Sequence, residues 1–145
     1  MPRNSTSRVL ALLATALIAF SAIAAAAEPA DDSEVRPPVT PLDLQIVRNA
    51  RAILDTPAKW NRADNRKCPP DATKWSIYCA VEIAQRQVAG GFHHRRPAGE
   101  LIRAIVEERT KDKNYQHRMM DYNNDATTHL ADVKSLFAEA LARIK

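Results

Sequence analysis

The sequence predicts an all-α protein, a single small bundle of four to five helices with a disulfide-tethered loop. Three observations predict it. From about position 41 onward, apolar residues recur at the three- and four-residue spacing that places them on one face of a helix. No stretch of useful length alternates apolar and polar residues as a half-buried strand does. The chain has only two cysteines, Cys68 and Cys79, with a long irregular stretch ahead of the first.

Domain organisation follows from the N-terminal composition. "MPRNSTSR" is polar and carries Arg3 and Arg8 without an acid, and "VLALLATALIAFSAIA" follows as an apolar run. Small residues and an acidic switch, "AAAEPADD", come next. That is the layout of a secretory signal peptide over residues 1–27, with cleavage expected after Ala27. An uncleaved segment would instead act as an anchor, and would be the protein's only contact with a membrane. Residues 28–40 are rich in proline and charge and read as a disordered mature N-terminus. Residues 41–145 read as the helical domain. Its size lets it bury one ordinary core without special help.

Charge and compartment narrow the function classes. The chain has 21 Lys and Arg against 17 Asp and Glu, a formal charge of +4. Loss of Arg3 and Arg8 with the signal brings this to +2. A surface so nearly balanced gives no electrostatic case for nucleic acid. In an exported chain two cysteines read as a disulfide. Closing so short a loop stabilises by roughly 3 kcal/mol on the chain-entropy account. Eleven residues apart, with no C-x-x-C unit, the two are poorly spaced as metal thiolates.

The helices can be justified in order. In "TPLDLQIVRNARAILDTP", Thr40 can cap, Pro41 suits the first helical position and Asp43 the first turn. Leu42, Ile46, Ala50, Ile53 and Leu54 share a face, and Pro57 stops the helix. The irregular stretch "AKWNRADNRKCPPDA" follows, and Trp60 is expected to plug it into the core. "DATKWSIYCAVEIAQRQVAGG" is read as the second helix, capped by Asp71, with Ile77, Val81, Ala84 and Val88 as its stripe and Gly90 as its stop. The third helix presents Leu101, Ile102, Ile105 and Val106. A short fourth places Tyr115, Met119 and Tyr122 together. The last starts at Thr127 or Thr128 and carries Leu130, Val133, Phe137, Ala140, Leu141 and Ile144.

Two stretches carry candidate chemistry. His117, Asp121, Asp125 and His129 fall four apart, and on one unbroken helix they would line a single stripe. His and Asp on one face could bind a metal or pair a base with an orienting carboxylate. "YNNDATTH" argues against that helix, because Asn, Asp and Thr side chains bond local backbone and favour turns and caps. The expected reading is structural, with Thr127 or Thr128 capping the final helix and Asp132 in its first turn. The second candidate is "GGFHHRRPAGE". His93, His94, Arg95 and Arg96 form a compact cationic loop able to grip a phosphate or an acidic partner. The plain alternative is a solvated turn between helices, with Phe92 as its anchor.

The segments "ARAILDTPAKW", "WSIYCAVEIA" and "YNNDATTHLADVKSLFAEAL" together resemble a family of small helical bacterial proteins of unknown function. Its members look like L-x-x-A-x-x-L-x-x-x-x-W at the start and C-A-x-G-A in the middle. They close with W-N-D, a turn and an amphipathic helix. The likeness spans roughly residues 42 to 144. Tyr122 stands where the family has Trp, and Glu82 where it has Gly. The export signal and Cys68 are not typical of it. The resemblance aligns Asn124, Asp125, Thr128 and Val133 with the closing motif and implies no activity.

No nucleophile elbow, phosphate loop or H-E-x-x-H is present, and no motif calls for a cofactor. The expectation is a non-catalytic exported domain whose partner is another protein or an envelope component. The alternatives are a small metal-dependent or acid–base enzyme using the His117, Asp121, Asp125 and His129 set, and a secreted inhibitor or toxin-neutralising protein.

Overall fold

A computed structural model of the protein describes residues 38–144. The signal segment and residues 28–37 of the expected linker lie outside them. Five helices are found among the described residues: α1 (Pro41–Ile53), α2 (Ile77–Ala89), α3 (Pro97–Arg109), α4 (Arg118–Asn124) and α5 (Leu130–Arg143). There is no sheet. One isolated parallel bridge joins Trp60 to Trp75. The fold class is all-α, as expected.

α1 opens on Thr40, whose backbone N–H and hydroxyl both donate to the Asp43 carboxylate at 2.9 Å. Its buried face is Asp43, Ile46, Val47 and Ala50, continued by Leu54. The expected face was rotated. Leu42 is 45% exposed, and Val47 takes a core place. The physical reason is that Asp43 turns inward, which carries its neighbour Leu42 outward.

α2 starts at Ile77, five residues later than an Asp71 cap would have it. Ser76 is the cap, its hydroxyl accepting from the Cys79 N–H at 3.2 Å. The chain before it is held extended by the Trp60–Trp75 bridge. Asn61 N–H donates to the Trp75 carbonyl at 2.9 Å, and Trp75 N–H to the Lys59 carbonyl at 2.8 Å. Residues so paired cannot also wind into a helix. The Cys68–Cys79 disulfide is formed and ties this stretch to the first turn of α2. Gly90 ends the helix at φ +73°, a left-handed conformation that costs glycine little.

α3 buries Ala98, Ile102, Ile105 and Val106, with Leu101 at the margin. α4 is shorter than expected and leaves Tyr115 outside. The Asp121 carboxylate accepts the backbone N–H groups of Gln116 and His117, both at 2.7 Å, and so terminates the helix at its start. α5 begins on His129 instead of a threonine. The hydroxyl and amide of Thr127 are drawn to Asp125 at 2.6 and 2.8 Å. Asp132 fills the first-turn role and accepts the His129 N–H at 2.8 Å.

The helices share one core. α1 packs chiefly on α2, α5 lies against α1 and α3, and α4 bridges α3 and α2. Phe137, Leu136 and Val133 of α5 meet Ile46, Ile102 and Ile105 at its centre, all fully buried. Arg109 fastens α3 to α5 through Glu139, the Ser135 hydroxyl and the Asp132 carbonyl.

Candidate functional site

The closing motif is a hub that joins distant parts of the chain. Asn123 is fully buried. Its Oδ1 accepts from the Trp60 indole N–H at 2.9 Å and from the Ile77 N–H at 3.0 Å. Its Nδ2 donates to the Asn61 carbonyl at 2.9 Å and to Asn124 Oδ1 at 3.1 Å. Asn124 clasps the backbone of Asp64 on both sides, accepting its N–H at 2.6 Å and donating to its carbonyl at 2.9 Å. Asp125 reaches the third segment. Its carboxylate accepts from Lys113 Nζ at 2.6 Å, from the Tyr115 hydroxyl and from Thr127. The Lys113 ammonium, with Thr127 and Tyr115, holds the Asp125 carboxyl well below the usual carboxylate range. Of the other motif residues, Val133 is in the core and Thr128 is buried, its N–H on the Asp125 carbonyl at 3.1 Å.

The row His117, Asp121, Asp125 and His129 does not assemble on one helix. The chain turns between Asp125 and His129, so the two histidines stand at the starts of α4 and α5. Asp121 is occupied with backbone N–H groups and Asp125 with Lys113, Tyr115 and Thr127. Among the described residues no group of three or more His, Cys, Asp or Glu lies close enough together to hold a metal ion.

The loop of His93, His94, Arg95 and Arg96 is partly inward-facing. Arg96 Nε sits 3.2 Å from the fully buried Asp43 carboxylate, which also accepts the Ala98 N–H at 3.2 Å. This pair joins the starts of α1 and α3. Arg95 lies 3.8 Å from Glu100. The His93 N–H donates to the buried Gln85 side chain at 3.0 Å. The Phe92 ring stands edge-on to Tyr78 at 5.9 Å and to His94 at 6.3 Å. The His94 carbonyl accepts from Arg103 at 2.9 Å.

His94 and His117, one from each candidate stretch, meet on a groove of about 270 Å³. Arg66, Arg103, Arg118, Tyr78, Tyr115 and Met120 also line it. Three guanidinium groups thus converge from the disulfide-tethered loop, from α3 and from the start of α4. No carboxylate is in the lining. The guanidinium groups of Arg103 and Arg118 are ion-paired with Glu100 and Glu107, and no ion pair to Arg66 is found among the described residues. Arg66 has φ +59°, an unfavourable conformation for a residue with a Cβ. Its N–H, two residues before Cys68, is pinned there by the Asp64 carboxylate at 2.7 Å. Burial, and then Glu82, push the Tyr78 phenol above its ordinary pKa.

Sequence reasoning missed most of this groove. Arg66, Arg103 and Arg118 lie in three unrelated segments, and nothing in their local spacing links them. The one usable signal was the Asx-rich run "NRADNRKC", whose Asn61, Asp64 and Asn65 side chains each bond a backbone N–H two residues on.

No curated protein and no solved structure matches the chain. The family of unknown function DUF6197 matches residues 36–143. That match takes in all five helices, the Trp60 loop and the Asn123–Asp125 hub, and the chain belongs to this family.

Proposed function

We propose that the protein is an exported, non-catalytic binding domain and that the groove between Arg66, Arg103 and Arg118 receives an acidic group of its partner. The observation that carries this reading is the lining itself, three guanidinium and two imidazole side chains with no carboxylate among them. Guanidinium groups match carboxylate and phosphate geometry bidentately, and they are hydrated more weakly than ammonium groups. Export is supported by the charged, apolar and small-residue order of residues 1–27, and by a disulfide of the kind that persists in oxidising compartments.

The test is calorimetric titration of the oxidised protein with an octaglutamate peptide at low salt. The Arg66→Glu/Arg118→Glu double variant is expected to weaken binding at least ten-fold. The Arg48→Glu/Arg51→Glu variant, which reverses the same number of charges on the exposed side of α1, is expected to leave the groove contribution intact. Equal losses in the two variants would mean that octaglutamate reads only net charge, and the groove assignment would fall.

The enzyme reading, with His117, Asp121, Asp125 and His129 as its set, has a direct test of its own. His129 is exposed and its N–H is held by Asp132. His129→Ala is therefore expected to change stability by no more than about 0.5 kcal/mol and to leave zinc uptake, measured by native mass spectrometry, unchanged. A stoichiometric zinc lost in that variant would restore the enzyme reading.

A further inference from the structure

Resting on the cationic groove just described, we infer that its ligand is a small organic anion with a flat apolar body, an aryl carboxylate or aryl phosphate. The cationic rim explains only half of the lining. Apart from Gln116, the rest comes from Tyr78, Tyr115, Met119 and Met120, which are aromatic or thioether side chains. A site for a bare inorganic anion has no use for such a floor. Rings stack on aromatic faces and edges, and methionine adapts its shape to them.

The aromatic side is held rigid. Phe92 stands edge-on to both Tyr78 and His94 and fixes the two rings that line the groove. Met119 is buried, so its side chain is anchored in the core while still reaching the groove. Size points the same way. The volume of about 270 Å³ falls just under the range of about 300–1,000 Å³ usual for drug-sized ligands. A single ring with one acidic substituent suits it. The Tyr78 phenol, protonated at neutral pH like any tyrosine, is available as a neutral donor to the ligand's anionic oxygen alongside the guanidinium groups.

The experiment is a titration of the oxidised protein with phenyl phosphate, benzoate and inorganic phosphate in turn, followed by calorimetry and by the methionine methyl signals in NMR spectra. Phenyl phosphate is expected to bind at least ten-fold more tightly than inorganic phosphate, and both aryl ligands to shift the Met119 and Met120 methyl signals. Arg66→Gln is expected to weaken phenyl phosphate at least five-fold. Met120→Ala is expected to weaken it while leaving inorganic phosphate unchanged. Equal affinity for phenyl phosphate and inorganic phosphate would overturn the aryl inference and leave the anion-binding groove standing. Binding of octaglutamate with none of the three small anions would overturn it as well, in favour of an acidic protein surface. Failure of all four probes would remove both readings.

Discussion

Asn123 Oδ1 accepts the Trp60 indole N–H at 2.9 Å across a sequence separation of 63 residues. The same oxygen takes the Ile77 N–H, the first amide of α2. With its two donated bonds, Asn123 uses all four of its hydrogen-bonding positions, and three of the four partners lie outside its own helix. One buried amide thereby sets the irregular loop, the start of α2 and the end of α4 relative to each other.

Replacing Asn123 by Ala leaves the Trp60 indole N–H and the Ile77 N–H buried without an acceptor. An unsatisfied buried donor costs about 1–3 kcal/mol, so the loss is expected at about 2–4 kcal/mol. Urea unfolding of the oxidised protein measures it. A change under about 1 kcal/mol, with ordinary cooperativity, would show that the hub is dispensable.

Asp43 and Leu42 exchange the roles that their residue types suggest. Asp43 is fully buried and holds Thr40, Arg96 and Ala98, whereas Leu42 is largely in solvent. Asp43→Ala leaves the Arg96 guanidinium unpaired at the start of α3 and is expected to cost about 3 kcal/mol. Leu42→Ala is expected to stay within about 0.5 kcal/mol. Thermal unfolding of the two variants side by side decides it, and the reverse order would contradict the orientation of α1.

The pH dependence of the hub rests on Asp125. Its folded pKa is depressed, with the Lys113 ammonium as the main cause. Its contribution is therefore complete above the unfolded value near 3.8 and is lost only as pH falls through the lower folded value. Carboxyl carbon NMR is expected to show Asp125 still ionised where ordinary carboxylates have taken up their proton. A midpoint near 3.8 would mean that the bonds to Lys113 and Tyr115 do not form in solution.

The legible features were those governed by a residue and its near neighbours. The Thr40 start with Pro41, the Gly90 stop, the Asp132 first turn and the α5 stripe each depend on atoms within one helical turn. The pairing of Cys68 with Cys79 was legible because the chain offers no other partner. Two of the misplaced helix starts share a pattern, whereas the rotated face of α1 follows from Asp43 turning inward. Asp71 lost its capping role to Ser76, and Tyr115 fell outside α4. In each case a backbone group that could have entered the helix was bonded elsewhere, to Trp60's neighbours or to Asp121.

By itself, then, the sequence determined the helical class, the approximate number of elements and the disulfide. Periodicity and capping are short-range, and they act before the chain is compact. Only the tertiary structure decided that Asp43 faces inward to Arg96, that Asn123 reaches Trp60, and that Arg66, Arg103 and Arg118 share a groove with Tyr78. Those relationships join residues tens of positions apart. They exist only once the core has fixed how the helices lie against one another, because packing, and not local propensity, decides which side chains converge.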